Sequence, residues 1–156
     1  LGDVYKRQLI GRSLRTIIEL KKIPPGKFII DCDVLNADGG TRTASITGSF
    51  VALSLAINKL ISDGSIKDSP IIDNIAALSC GIVGGEILVD LDYSEDSAAE
   101  VDANLIFTMK SGMAEIQVSG EGHTFQIEQL NEITRLCHEE VKKIFVYQNN
   151  FIQSND

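Results

Sequence analysis

Two short glycine-containing turns constrain this chain more than any other feature. NIAALSCGIV (Asn74–Val83) and EILVDLDY (Glu86–Tyr93) flank Gly84-Gly85, while ANLIFTMK (Ala103–Lys110) and MAEIQVSG (Met113–Gly120) flank Ser111-Gly112. Runs of β-formers on either side of so short a connection fold back on each other as hairpins. Upstream, Ile10, Leu14, Ile17 and Ile18 follow a helical period that should run to about Lys22, where Pro24-Pro25 ends it. KFIIDCDVL (Lys27–Leu35) alternates around β-formers and reads as a strand. Ile46, Phe50, Leu53, Ile57 and Leu60 are spaced for an amphipathic helix that stops near Ser62-Asp63-Gly64. A last helix, marked by Ile127, Leu130, Ile133, Cys137, Val141 and Ile144, should reach about Tyr147, leaving residues 151–156 as a disordered tail. The order is α, β, α, four mostly antiparallel strands, then α. This is an α+β fold, a mixed or antiparallel sheet with two hairpins packed by helices.

The chain has 156 residues, 44% hydrophobic and 23% charged, which suits one domain with its own core. No apolar run approaches the roughly 18 residues of a membrane span. Cys32, Cys80 and Cys137 are odd in number and far apart, as in a cytoplasmic protein with reduced thiols rather than a zinc site or disulfide framework. The net charge of −8 is uneven. Residues 1–42 carry eight Lys/Arg against five Asp/Glu, a net of +3, and the remainder carries −11. An acidic whole argues against general affinity for nucleic acid. Residues 1–8, LGDVYKRQ, enter the first helical pattern without a cap and read as a non-native scar, with the domain proper at 9–150.

ADGGTRTASITG (Ala37–Gly48) places two glycines directly before the second helix. A helix start gathers unpaired N–H groups and the positive end of the dipole, and anions bind there. Two roles fit Thr41, Arg42 and Thr43: an ordinary cap with a solvated arginine, or an anion site. The stretch is not a P-loop, since no Gly-Lys-Ser/Thr follows. Arg12 and Arg15, three apart, share a helix face that is either solvated or turned to RNA.

Between Glu86 and Asp102 stand seven acidic residues in seventeen positions. Asp96 and Asp102 would diverge by about 240° on one helix, so a shared site requires a loop leading into a strand. Carboxylates gathered at one point repel unless a cation joins them, and oxygen-only ligation suits Mg²⁺ or Mn²⁺. The alternative is a solvated acidic loop. An anion site and a hard-metal site in one small domain point together to phosphoryl chemistry. His123 and His138 lack a nucleophile context and read as surface residues.

CDVLNADGGTRTASITG (Cys32–Gly48) and GIVGGEILVDLDYSEDSAAEVDAN (Gly81–Asn104) resemble bacterial ribonuclease PH, the phosphate-dependent 3′-to-5′ exoribonucleases related to polynucleotide phosphorylase and the exosome ring. LIGRSLR (Leu9–Arg15) and SGEGHTF (Ser119–Phe125) agree, and the resemblance covers about residues 9–148. It implies that Gly40, Thr41 and Arg42 bind orthophosphate. It also implies that Asp96 and Asp102 are the metal-binding and catalytic carboxylates. The implied reaction is attack of phosphate on the last phosphodiester of an RNA 3′ end, releasing a nucleoside diphosphate. The implied substrates are tRNA precursors and ribosomal RNA, and the implied assembly is a hexamer, a trimer of dimers.

Two departures accompany the resemblance. The family has a substantial region before LIGRSLR that this sequence lacks, and a further phosphate-binding arginine that would fall near Gly2; Arg7 is out of register with it. The expectation is a truncated homologue, weakly active or inactive as a fragment. Two other classes stand beside the phosphorolytic reading. A non-catalytic RNA-binding ring subunit would have no need of Asp96, Asp102 and Arg42. A Mg²⁺-dependent hydrolase would release monophosphates without phosphate.

Overall fold

The glycine turns produce the hairpins. In the computed structural model, β1 (Ile75–Val83) and β2 (Glu86–Val89) pair antiparallel with Val83 opposite Glu86, and β3 (Val101–Thr108) and β4 (Gly112–Gly120) pair with Thr108 opposite Gly112. Gly84 and Gly85 both take positive φ, 59° and 83°, the conformation of a two-residue hairpin turn. β1 also pairs antiparallel with β3, so the four-stranded sheet runs β2-β1-β3-β4. The structure describes residues 2–155, with side chains from residue 7 onward.

β1 and β3 read as nearly continuous apolar runs because both faces of the sheet are covered. On one face Ala76, Leu78, Cys80, Ile82, Val101, Ala103, Leu105 and Phe107 pack on Ile133, Cys137, Val141 and Phe145 of α4 (Ile127–Ser154). The other face buries Ile75, Ala77 and Ile106 under Ile46, Phe50, Leu53 and Ile57 of α2 (Thr41–Ser62). Leu9 and Leu14 of α1 (Gly2–Arg15) close that cluster. Each fully buried Ile, Leu or Phe contributes roughly 1.5–3 kcal/mol. Buried Gln148 clamps the layers together, donating to the carbonyls of Thr47 on α2 (3.1 Å) and Ile75 on β1 (3.0 Å).

Several sequence expectations need correction. Lys27–Leu35 forms no strand; Ile29 is 79% exposed and Leu35 93%. Alternation supplies β-propensity, yet a strand needs a neighbour to pair with, and among the described residues none lies alongside. The first helix ends at Arg15 rather than Lys22. The β-branched run Thr16-Ile17-Ile18 turns off the helix, and Ile18 bridges Ile71 before a single 3₁₀ turn at Leu20–Lys22. The last helix continues past Tyr147 to Ser154, so the segment expected to be a tail from 151 is helical through that residue. The acidic connection carries a six-residue helix, α3 (Tyr93–Ala98), where a loop was expected. Finally, α2 is, by length and composition alone, long and apolar enough to cross a membrane. Here its apolar side is buried against β1 and α1. The scar expected at residues 1–8 falls largely on side chains outside the described residues.

Candidate active site

The sheet face beneath α2 changes character along its length. Where Ala77 and Ile106 sit it is apolar, but the next two rows are polar. Ser79 lies opposite Asn104 and Asn104 opposite Gln117; Gly81 lies opposite Asp102 and Asp102 opposite Ser119. Strand alternation puts these residues on one face. The first turn of α2 comes down over this polar end, bringing Arg42 Nη2 to 3.4 Å from Asp102 Oδ2.

The start of α2 is open. Its N-cap is Gly40 in the left-handed region, with no side-chain cap hydrogen bond among the described residues. Thr43 Oγ1 instead donates back to the Gly40 carbonyl at 2.8 Å, and Thr41 does not cap. The capping role left open by the sequence is therefore not the one these threonines play. The adjacent Gly39 is tightly enclosed: at φ 74°, a Cβ there would lie 2.1 Å from the Leu91 carbonyl oxygen. This contact joins the glycine turn to the segment leading into α3. A second tie is the Tyr93 N–H, which donates to Asp38 Oδ1 at 3.1 Å.

α3 exists because Asp92 and Glu95 form a reciprocal capping box, Asp92 Oδ1 accepting from the Glu95 N–H (2.9 Å) and Glu95 Oε2 from the Asp92 N–H (3.0 Å). Glu95 is thus occupied in shaping the helix. Asp96, in the first turn, is left exposed toward the cleft. Ala99 ends the helix in an extended conformation, and Val101 starts β3, which delivers Asp102. The result is a cleft of about 230 Å³ lined by Gly39, Gly40, Thr41, Arg42, Asp96 and Asp102, with Ser79 and Asn104 in its floor. All five residues expected to bind phosphate or metal line this one cleft.

Burial raises the Asp102 pKa above the usual aspartate range. The Arg42 charge opposes that shift, and the carboxylates of Asp96 and Glu121 add to it. Asp92 moves the other way, lowered by the Glu95 N–H and the Ser94 hydroxyl that its carboxylate accepts. Two carboxylates with open space beside them suit a hard divalent ion that keeps most of its waters and takes other oxygens from a phosphate. Among the described residues, no group of three or more His, Cys, Asp or Glu could hold a metal more fully.

Arg12 does not reach this cleft. It pairs with Glu115 on β4, which also accepts from Gln117 Nε2 at 2.9 Å. Arg15 is exposed at the end of α1 and lies beside Gly11. Arg7 lines a larger cavity of about 660 Å³ that Thr41 and Arg42 share. His123 and His138 are exposed, as their contexts indicated. Sequence reasoning missed Ser79 and Asn104. The available signal was parity: Ser79 falls at every second position from Ile75 and Ala77 on β1, and Asn104 lies between Asp102 and Ile106 on β3.

Comparison with known proteins gives the chain a family. Residues 4–57 match domain 1, and residues 73–140 domain 2, of the 3′ exoribonuclease family, ribonuclease PH type. The chain belongs to this family. The first match begins at residue 4, inside the stretch expected to be foreign. A Ribonuclease PH of Neisseria gonorrhoeae is 45% identical over 144 residues, 92% of this chain and 60% of the relative. One from Neisseria meningitidis serogroup C is 43% identical over 148 residues, 95% of this chain and 61% of the relative. The chain thus spans about 60% of the length of these curated relatives. Among solved structures, rice (Oryza sativa) Rrp46 is similar in fold, with a TM-score of 0.74 at 18% identity, over 97% of this chain and 66% of the other.

Proposed function

We propose that this chain carries the site of a phosphate-dependent 3′-to-5′ exoribonuclease, a nucleotidyltransferase that trims the 3′ ends of tRNA precursors and acts on ribosomal RNA. The observation that carries this reading is the convergence of an open helix start bearing Arg42 with Asp96 and Asp102 in one cleft. Inorganic phosphate would lie against the Thr41 and Arg42 N–H groups, held by the guanidinium, whose planar fork suits an oxyanion. At 3.4 Å, the contact between Arg42 and Asp102 is loose, and the guanidinium has donors to spare for the anion. Held there, a phosphate oxygen attacks the terminal phosphodiester and the 3′ oxygen of the preceding nucleotide leaves, so the product is a nucleoside diphosphate. Positioning of the nucleophile is the main contribution of this chain's own residues.

Asp96 and Asp102 would hold Mg²⁺ or Mn²⁺, which when bound neutralises charge developing at phosphorus and on the leaving oxygen. Asp102 must be ionised for this, and Arg42 favours that form. The names of the Neisseria relatives and the family description support RNA as substrate; assembly as a hexameric ring of dimers in the cytoplasm is what the sequence resemblance implies.

The test is product analysis on a 3′-extended tRNA with Mg²⁺, with and without inorganic phosphate. Nucleoside diphosphates appearing only with phosphate support the reading. Monophosphates released regardless of phosphate would replace it with a hydrolase. Asp96→Asn should abolish metal-dependent turnover.

A further inference from the structure

Ser79 is 2% exposed in the middle of β1, and its Oγ is buried with no hydrogen-bond partner among the described residues. Asn104, opposite it on β3, has a partner, donating to Asp102 Oδ1 at 3.4 Å. A buried hydroxyl without a partner lowers stability, since it gives up water and gains nothing. Alanine would fit the same place without that loss, and the nearby Ala76 and Ala77 show that small apolar residues are accommodated along this strand. What the serine offers is an O–H donor in the floor of the cleft lined by Gly40, Thr41, Arg42, Asp96 and Asp102. It lies directly under the helix start: a Cβ on Gly40 would be 3.1 Å from Ser79 Oγ.

We propose that Ser79 is a ligand of the orthophosphate bound at the start of α2, its hydroxyl donating to a phosphate oxygen from the sheet side. The proposal rests on the phosphorolytic reading above and names a residue that the sequence motifs did not. Arg42 and the α2 N–H groups hold the anion from the helix side. Ser79 supplies a neutral donor from below, so the oxyanion is held from two sides. The hydroxyl faces the Gly40 backbone, which carries no Cβ to fill the space above it. A hydroxyl poised this way fits a site that gives up some stability for binding.

The experiment titrates the full chain with inorganic phosphate, followed by ³¹P NMR, for the wild type, Ser79→Ala, Ser79→Cys and Arg42→Gln, alongside urea unfolding of each. Ser79→Ala should weaken phosphate binding about tenfold, with a urea midpoint equal to or above the wild type. Ser79→Cys, nearly the same size but a poor donor, should weaken binding similarly. Binding of a short oligoribonucleotide without phosphate should be unchanged in either Ser79 variant. Wild-type phosphate affinity in Ser79→Ala, with Arg42→Gln weakened, overturns the role of Ser79 and leaves the site intact. Loss of stability in parallel with affinity would make the hydroxyl structural and also overturn it. Weakened oligonucleotide binding with phosphate unchanged would overturn it too. Absence of phosphate binding in the wild type would overturn both this proposal and the reading beneath it.

Discussion

Gly39 is where the two halves of the site touch, and replacing it with alanine should separate them. Two costs can be read from the structure. The first is backbone strain: at φ 74° an alanine sits in the left-handed region, at about 1–2 kcal/mol. The second is a clash, because the new Cβ would lie 2.1 Å from the Leu91 carbonyl oxygen and 2.9 Å from the Asp92 carbonyl carbon. Both neighbours are backbone and cannot swing aside as a side chain would. Displacing them resembles overpacking a core, about 1–3 kcal/mol. Gly84→Ala is the matched control: its φ is 59° and nothing lies within 4 Å of the added atom, so only the first cost applies. Urea unfolding should therefore place Gly39→Ala below Gly84→Ala by about 1–3 kcal/mol, with similar slopes. Because the displaced segment leads into the Asp92 cap of α3, Gly39→Ala should also weaken phosphate and Mg²⁺ binding, whereas Gly84→Ala should affect neither. Equal stability for the two variants would refute the claim that the turn and α3 are held in register by this contact.

Three further outcomes are expected. Arg42→Gln should weaken inorganic phosphate binding by roughly ten- to a hundredfold, as loss of a charge-assisted hydrogen bond does, without unfolding the chain, because its side chain is 36% exposed. In a ¹³C-carboxyl NMR titration, Asp92 should titrate below and Asp102 above the ordinary aspartate value of about 3.9. The signs for stability are opposite. The cap at Asp92 stabilises above the ordinary range and its contribution is lost as pH falls through the lowered pKa. Asp102 costs stability once ionised, so stability declines as pH rises through its titration and Asp102→Asn should hold or raise the urea midpoint at neutral pH. Gln148→Leu leaves the Thr47 and Ile75 carbonyls without their donor and should lower stability by about 1–3 kcal/mol, read by urea unfolding.

The hairpins and the two long helices were legible because their signals are local. Gly84-Gly85 sets its own turn, and the period of Ile46, Phe50, Leu53 and Ile57 records the face that is buried. Lys27–Leu35 was misread because strand formation depends on a partner, which alternation cannot supply. Asp92 and Glu95 were counted only as charge, although the D-x-x-E spacing is a capping signal that explains why α3 replaces a loop. At the site, the motifs pointed to Gly40, Thr41, Arg42, Asp96 and Asp102, and the fold places them around one cleft. Ser79 and Asn104 were hidden because their significance lies in the pairing of β1 with β3, which no single segment records. Arg12 looked like a free basic face on its helix and turned out to be paired with Glu115, distant in sequence.

The central claim is that phosphate bound at the start of α2 is the nucleophile. It is tested most directly by incubating the chain with a 3′-extended RNA, Mg²⁺ and ¹⁸O-labelled inorganic phosphate, then analysing the released nucleotides by mass spectrometry. The account predicts that any nucleotide released, however slowly, is a nucleoside diphosphate carrying the label in its terminal phosphate. Unlabelled nucleoside monophosphates, formed at the same rate without phosphate, would show that water attacks instead and would contradict it.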